Sequence, residues 1–156
     1  MGILKFLKTF YVAIVVVFFI SCHDYSKEVE IGNSVMIYEW SPNDLPEKAT
    51  LIKYKKDSGF ENSAGEYKNS SITIADDTLN NRKFLRIDFR VPDKLTTGFD
   101  YKLVVDDTIE CKIHDFTVLP KNRGGEISAK SGKDAIAADH EGIYLYKKHT
   151  MVLLKK

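Results

Sequence analysis

Leu85-Arg86-Ile87-Asp88-Phe89-Arg90-Val91 is the stretch that decides the fold of this chain. Apolar and charged side chains alternate at every position, and a period of two places all the apolar side chains on one face of a β-strand. A helix would scatter the same side chains around its axis. The stretch therefore predicts a strand with one buried face and one solvated face.

The same alternation returns downstream, on both sides of the acidic pair Asp106-Asp107. The apolar positions are Phe99, Tyr101, Leu103 and Val105 before the pair, and Ile109, Cys111 and Ile113 after it. Two alternating runs around a short polar turn are typical of a β-hairpin. The apolar phase then slips before Phe116, which predicts a β-bulge across His114-Asp115.

The rest of the chain reads as further short strands separated by turns and loops. The strand-like stretches are 33–40, 48–56, 71–75 and 143–156. Two long polar stretches, Asp57–Ser70 and Lys121–His140, are predicted to be loops. Within the second, the alanine-rich stretch Asp134–Asp139 is predicted to form one or two helical turns. Short strands at near-regular spacing favour an antiparallel β-sandwich.

Leu95-Thr-Thr-Gly98-Phe-Asp-Tyr101 resembles the tyrosine corner of immunoglobulin-like and fibronectin-type sandwiches. In that corner the Tyr hydroxyl bonds back to the backbone that precedes it. With the strand pattern, the resemblance implies a mainly β fold, an antiparallel β-sandwich that is immunoglobulin-like or transthyretin-like. The alternative is an ordinary turn that leads to a core Tyr101.

The N-terminal residues have the pattern of an export signal. Lys5 and Lys8 precede an unbroken apolar run over 10–20, which is typical of a secretory signal peptide. The run is shorter than the roughly 20 residues that span a bilayer. Its end, Phe19-Ile20-Ser21-Cys22, resembles the lipobox of bacterial lipoproteins, in which the cysteine is lipidated and becomes the new N-terminus after cleavage.

The lipobox resemblance implies a signal peptide over 1–21, a lipidated Cys22 with a short tether over 22–28, and one β-rich domain over 29–156. Phe19 stands where the family usually has an aliphatic residue, which bears on the efficiency of cleavage. His23, and not Asp, follows the cysteine, so the resemblance favours anchoring in the outer membrane of the cell envelope, on its periplasmic face. The alternatives are an ordinary signal peptide and an uncleaved anchor helix.

Charge is almost balanced over the chain. The 156 residues carry 23 basic and 22 acidic side chains, and loss of Lys5 and Lys8 with the signal peptide would leave a net charge of 21 − 22 = −1. A nucleic-acid partner is not expected, because binding to nucleic acid needs a clustered basic face. With Cys22 lipidated, Cys111 would be the remaining cysteine and could form no intrachain disulfide.

The common sequence patterns of catalytic and metal sites are absent from the chain. It has no Gly-x-Ser-x-Gly and no phosphate-binding Gly-rich motif, and its four histidines lack the spacing of a zinc site. We therefore predict no enzyme activity, no metal and no other cofactor. Cys111 alternates with isoleucines and is predicted to be a buried structural thiol. Tyr38 and Trp40 could stack on a sugar, but packing in or beside the core is the simpler explanation.

A binding role remains once catalysis is set aside. The strands use their apolar residues for one core, so no small-molecule substrate is expected. Aromatic and arginine side chains most often carry interface energy, which selects Phe60, Tyr67 and Arg123 in the two long loops as contacts for a protein partner. Two functions fit: an immunity or inhibitor protein against an envelope-directed toxin or hydrolase, or a structural accessory of an envelope or secretion assembly.

Overall fold

The computed structural model describes residues 28–41, 43–77, 81–119, 126–147 and 152–153, so Cys22, the predicted signal peptide and Arg123 lie outside the described residues. The strands are β1 (Glu30–Ile31), β2 (Ser34–Tyr38), β3 (Ala49–Lys55), β4 (Ser63–Asp77), β5 (Arg82–Phe89), β6 (Leu95–Thr96), β7 (Phe99–Val105), β8 (Ile109–Leu119), β9 (Glu126–Ser131), β10 (Asp134–Ala138), β11 (Gly142–Tyr146) and β12 (Val152–Leu153). Across these ranges, no helix is long and apolar enough to cross a membrane.

Nine of these strands form a closed β-barrel. Their hydrogen-bonded order is β8-β7-β3-β4-β5-β2-β11-β10-β9, and β9 pairs back to β8. β12 pairs with the beginning of β8, while β1 and β6 form a separate two-stranded sheet. The chain is mainly β, but the predicted antiparallel β-sandwich, immunoglobulin-like or transthyretin-like, is wrong, because the first and last strands of the sheet pair with each other.

One pair in the barrel is parallel, and the number of strands explains it. Neighbouring strands in an antiparallel sheet alternate in direction, and a ring with an odd number of strands cannot alternate all the way round. The parallel pair is β2 with β11, in which Tyr38 lies opposite Tyr146. We call the end of the barrel where β2 and β11 begin the lower end, and the end where they finish the upper end.

Two long strands bend and so allow the sheet to close. β4 pairs first with β3 and then with β5, and its register shifts between Asn69 and Ser71. β8 changes partner from β7 to β9, with a register shift between His114 and Thr117. A β-bulge bends its strand and increases its twist, so both strands turn a corner of the barrel. The bulge predicted at His114-Asp115 is confirmed.

Much of the sequence predicted as loop is strand. β4 begins at Ser63, inside the predicted loop Asp57–Ser70, and β9 and β10 both lie within 121–140. The predicted helical turns at Asp134–Asp139 are also wrong, because that stretch is mainly β10 and pairs with β9. Hydrogen bonds between neighbouring strands outweigh the modest helix preference of three alanines.

Alternating side chains fill the inside of the barrel, as the sequence predicted for its clearest strand. Leu85, Ile87 and Phe89 of β5 are buried. The predicted hairpin of β7 and β8 is confirmed, with Val105 opposite Ile109. The largest fully buried side chains are Tyr101, Ile37, Leu51, Leu85, Ile87, Leu95, Leu103, Ile113, Ile143, Leu145, Val35 and Val105. Because these side chains fill the interior, a partner can bind only to the outer face of the barrel or to its ends.

Candidate functional site

Three aromatic side chains form a row across the outer face of β5, β2 and β11. Phe84 lies opposite Tyr38, and Tyr38 lies opposite Tyr146. The centroid of the Tyr38 ring is 5.4 Å from that of Phe84, and 5.4 Å from that of Tyr146, with which it stacks at 28°. Aromatic pairs across strands hold one another in place. We call Phe84, Tyr38 and Tyr146 the aromatic row.

The alternation of the strands turns this row outward. Ile37 and Leu145 are completely buried, so their neighbours Tyr38 and Tyr146 point away from the barrel interior. Tyr146 keeps 39 % of its surface exposed, a large fraction for an aromatic residue in a strand. The row therefore combines a fixed geometry with a ring that solvent reaches.

A cleft of about 660 Å³ adjoins the aromatic row on the side of β9, β10 and β11. Tyr38, Tyr144 and Tyr146 give it an aromatic wall, and the small side chains Ser128, Ala135 and Ala137 line it beside them. Because small side chains stand next to large ones, the surface is concave. Three charged side chains also line the cleft: Asp77, Arg82 and Glu126.

Tyr144 is fixed by the turn that precedes β11. Its hydroxyl donates to the Asp139 carboxylate, lying 3.1 and 3.0 Å from the two oxygens. Asp139 Oδ1 also accepts hydrogen bonds from the N–H groups of Glu141 and Gly142, at 2.8 and 3.2 Å. Burial and the bonded carboxylate of Asp139 hold the pKa of Tyr144 well above its ordinary value. The hydroxyl thus stays protonated, with its direction set by Asp139.

Burial and neighbouring charges both act on the hydroxyl of Tyr38. The pKa of Tyr38 is raised, first by burial and then by the negative charges of Asp77 and Glu141, while Arg82 acts in the opposite sense. Burial alone disfavours the charged form of a tyrosine, and nearby negative charge adds to that effect. The cleft therefore has an aromatic wall with charged side chains of both signs beside it.

A separate polar cluster on the same outer face connects β2, β4 and β5. Ser34 Oγ and Ser71 Oγ donate to the Asp88 carboxylate at 2.5 and 2.7 Å, and Arg86 Nε donates at 2.9 Å. Burial opposes ionisation of Asp88, but these three donors outweigh it and hold its pKa below the ordinary value. The three donors converge on Asp88, and Arg86 Nη2 also donates to Ser34 Oγ at 3.2 Å, so this cluster joins the three strands.

Two of the residues selected from the sequence as partner contacts, Phe60 and Tyr67, lie apart from the cleft. Phe60 is in the turn between β3 and β4, where its ring centroid is 5.3 Å from that of Tyr54 and 6.1 Å from that of His114. Tyr67 is in β4, half-buried and opposite Leu51. Neither residue lines the cleft. Their role as contacts, with that of Arg123 outside the described residues, stays a prediction.

The cleft was missed in the sequence although a signal for it is present. Met36-Ile37-Tyr38 and Ile143-Tyr144-Leu145-Tyr146 place bulky side chains on both faces of their strands, which an outer face in contact only with water does not need. Of the two aromatic residues that could stack on a sugar, Trp40 is buried, with its indole N–H donating to the carbonyl of Asp44 at 2.5 Å. Tyr38 belongs to the aromatic row.

Neither the cysteine nor the acidic and histidine side chains of the described chain form a second site. Cys111 is buried, with Sγ 2.9 Å from Ser131 Oγ inside the barrel. Within the described ranges, no group of three or more His, Cys, Asp or Glu side chains is placed to hold a metal ion.

Comparisons with protein-family models, with curated proteins and with solved structures found no match to this chain.

Proposed function

We propose that this chain is a lipoprotein of the bacterial cell envelope that acts by binding another protein through the aromatic row and the adjoining cleft. The observation that carries the proposal is the stacking of the exposed Tyr146 on Tyr38, beside a cleft on the outside of a barrel whose interior is filled. Tyrosine and other large aromatic residues contribute a large share of the energy of protein interfaces.

The aromatic row is well suited to binding because its side chains lose little conformational entropy when a partner binds. Tyr38 is held between Phe84 and Tyr146 on three hydrogen-bonded strands. A tyrosine has only two side-chain torsions, so ordering it costs less than ordering a long flexible side chain. A preorganised apolar surface with a charged rim is the usual form of an interface core.

The proposed anchor places this surface close to the membrane. The six residues from His23 to Glu28, where the described chain begins, extend over at most about 20 Å. The described chain begins at the lower end of the barrel, since β1 leads directly into β2. Tyr38 and Tyr146, the last residues of β2 and β11, lie at the upper end. A lipidated Cys22 would therefore leave the row turned away from the bilayer, toward soluble envelope proteins.

Protection of the cell is the role that we propose for this binding: the protein neutralises an envelope-directed toxin or hydrolase. The test is capture of partners from envelope extract with the tagged full-length chain in detergent. The wild type and Arg90→Ala, an exposed residue outside the cleft, should retain the same protein, and Tyr146→Ala should lose it. Recovery of the same proteins with Tyr146→Ala would overturn the assignment of the surface.

Deletion of the gene separates the proposed role from that of a structural accessory. Cells without the protein should become more sensitive to the captured toxin or hydrolase, and expression of the wild type should restore resistance. Unchanged sensitivity, together with loss of a secretion or envelope assembly, would favour the accessory role.

A further inference from the structure

The turn between β3 and β4 folds over the outer face of the barrel, and we call this turn, residues 56–62, the strap. Its Phe60 ring packs edge-on against Tyr54 of β3 and against His114 of β8. The Nζ of Lys112, also on β8, lies 5.1 Å from the centroid of the Phe60 ring. These contacts attach the strap to two strands that are not neighbours in the sheet.

The backbone of the strap is strained. Asp57 and Phe60 have φ values of +59° and +66°, in the left-handed region that residues other than glycine rarely adopt. For a side chain as bulky as that of Phe60, this conformation is an outlier. The Ser58 hydroxyl adds a further cost, because it is buried and none of the described residues hydrogen-bonds to it. The closed strap is therefore held by its side-chain contacts, and its backbone would relax if they were lost.

The strap also contacts Asp100, a buried carboxyl on β7. The N–H of Asp57 donates to Asp100 Oδ2 at 3.2 Å, and only 5 % of Asp100 is exposed. The next residue, Tyr101, is fully buried inside the barrel, so Asp100 points to the outer face. On that face, burial has to come from what lies over the strands. The strap lies there and hydrogen-bonds to the carboxyl, so closure of the strap removes Asp100 from water.

Burial raises the pKa of Asp100, because a charged carboxylate loses its hydration. The hydrogen bond from the Asp57 N–H and the nearby His114 act in the opposite sense, whereas the charges of Asp57 and Asp115 add to the effect of burial. Closure of the strap and protonation of Asp100 therefore favour each other. The charged and titratable side chains on the elements around Asp100 are Tyr54, Asp57, Lys102, Lys112, His114 and Asp115.

We infer that the strap closes on protonation of Asp100 and loosens when this carboxyl ionises. Closure is favoured most below the ordinary pKa of an aspartate, about 4, where Asp100 is protonated in the open and the closed state alike. The advantage is lost as the pH rises through the higher pKa of the closed state. Loosening uncovers Phe60 and Tyr54, so acidity controls the exposure of a second aromatic surface, separate from the aromatic row.

His114 is the competing group, because an imidazole also changes its charge in this range of pH. Its ring packs against Phe60, and its Nδ1 lies 3.4 Å from Asp115 Oδ1. A protonated His114 would attract an ionised Asp100 and would also favour closure at low pH. Substitutions at the two positions separate these causes.

Hydrogen exchange of the full-length chain in neutral detergent, followed by mass spectrometry, measures the opening of the strap. The exchange of the peptide that contains residues 56–62 is divided by its intrinsic rate at each pH from 4 to 7. In the wild type, opening should increase by about fivefold or more over this range, as the buried carboxyl ionises. In Asp100→Asn the neutral amide can still accept from the Asp57 N–H. Opening of this variant should therefore be rarer than in the wild type at pH 7 and should not change with pH.

Two further variants are the controls. His114→Gln should keep the pH dependence of the wild type. Asp115→Asn should keep it too, because hydrogen bonds from Lys130 and His114 hold the pKa of Asp115 below its ordinary value, so that Asp115 stays ionised over most of this range. Opening of the wild type that does not change with pH would overturn the inference. Wild-type dependence in Asp100→Asn, or its loss in His114→Gln, would do the same.

Carbon-13 NMR of the aspartate carboxyls tests the same linkage without a substitution at Asp100. Phe60→Ala removes the ring that attaches the strap, so the strap should open and Asp100 should regain water. The pKa of Asp100 should then be lower in Phe60→Ala than in the wild type. Equal pKa values in the two proteins would show that the strap does not bury this carboxyl, and the proton-linked strap would be wrong.

Discussion

The hydroxyl of Tyr101 makes two hydrogen bonds with the backbone of Thr96, donating to its carbonyl oxygen at 2.8 Å and accepting from its N–H at 2.9 Å. The side chain is fully buried, and burial raises its pKa to about 12. A hydroxyl bonded back to the preceding backbone is the local geometry of a tyrosine corner. Here it lies between β6 and β7 of a closed barrel, so the corner does not by itself specify a sandwich.

Replacement of Tyr101 by Phe should lower the free energy of unfolding by about 1–2 kcal/mol, because the Thr96 N–H and carbonyl lose their partner in a partly buried place. Urea denaturation of both proteins measures the difference. Tyr146→Phe removes a hydroxyl from an exposed side chain and should change stability by less than about 0.5 kcal/mol. Equal losses in the two variants would show that the corner hydrogen bonds stabilise nothing.

Gly32 and Gly142 lie where two parts of the backbone touch. A Cβ on Gly32 would be 2.1 Å from the carbonyl carbon of Glu141, and one on Gly142 would be 2.1 Å from the carbonyl oxygen of Ser34. Alanine at either position must push the backbone of the β1–β2 segment away from the turn before β11. We expect each variant to lose about 2 kcal/mol or more, or to fail to fold.

Gly132→Ala is the control for those two substitutions. Gly132 has a φ of +61°, and nothing lies within 4 Å of the Cβ that alanine would add. Its cost should be the conformational one alone, about 1 kcal/mol. Thermal unfolding monitored by circular dichroism compares the three proteins. If Gly32→Ala were no less stable than Gly132→Ala, the close approach at Gly32 would be refuted.

The polar cluster in which Ser34, Ser71 and Arg86 donate to Asp88 should make the stability of the folded protein depend on pH. Because the folded protein holds the pKa of Asp88 below its unfolded value, ionised Asp88 stabilises the folded state at neutral pH, and this contribution is lost as the pH falls from about 4 through the lower folded value. Asp88→Asn should therefore cost about 1 kcal/mol at pH 7, since the site is partly exposed. The gap from the wild type should narrow at pH 3.

Denaturant titrations of the wild type and Asp88→Asn at the two pH values test this dependence. Asp76→Asn is a suitable control, because Asp76 is exposed in β4. A gap between wild type and Asp88→Asn that stays constant from pH 7 to pH 3 would show that the hydrogen bonds do not depend on ionisation of Asp88.

Cys22 is expected to carry the lipid. Cells grown with a clickable fatty acid should incorporate the label into the wild-type protein and not into Cys22→Ser. Cys111→Ser tests whether the label is specific, because Cys111 is buried in the barrel and should not affect labelling of a folded protein. Label retained by Cys22→Ser would rule out the lipoprotein assignment.

Alternation along a strand predicts its faces but not its neighbours. The pattern at Leu85–Phe89 correctly identified which side chains are buried, because a period of two depends only on local geometry. Closure of the barrel depends on β8 meeting β9 beyond the bulge at His114, a contact between separate segments. Ser63 and Gly65 look like loop residues, yet they lie in β4 opposite β3. Pairing with a neighbouring strand determines their structure.

The site was less predictable than the fold because it depends on the packing of several strands. The sequence shows tyrosines at 38, 144 and 146, but the row exists only because parallel pairing brings Tyr38 opposite Tyr146. The predicted antiparallel sandwich specified no pairing between these two strands. Selection of Phe60 and Tyr67 relied on loops, and Tyr67 lies in a strand.

The parallel pairing of β2 with β11 has a consequence for how the chain must fold. Val35 pairs with Ile143. A strand near the beginning of the domain therefore pairs with a strand that lies more than a hundred residues later in the sequence. Contacts of such long sequence separation slow folding, since closing the long intervening stretch costs conformational entropy before the contact can stabilise the chain. An emerging or truncated chain that ends before Gly142 would leave the edge of β2, with Val35 and Ile37 beside it, open to pairing with other chains. A chaperone that shields that edge until the C-terminal strands arrive would prevent such pairing.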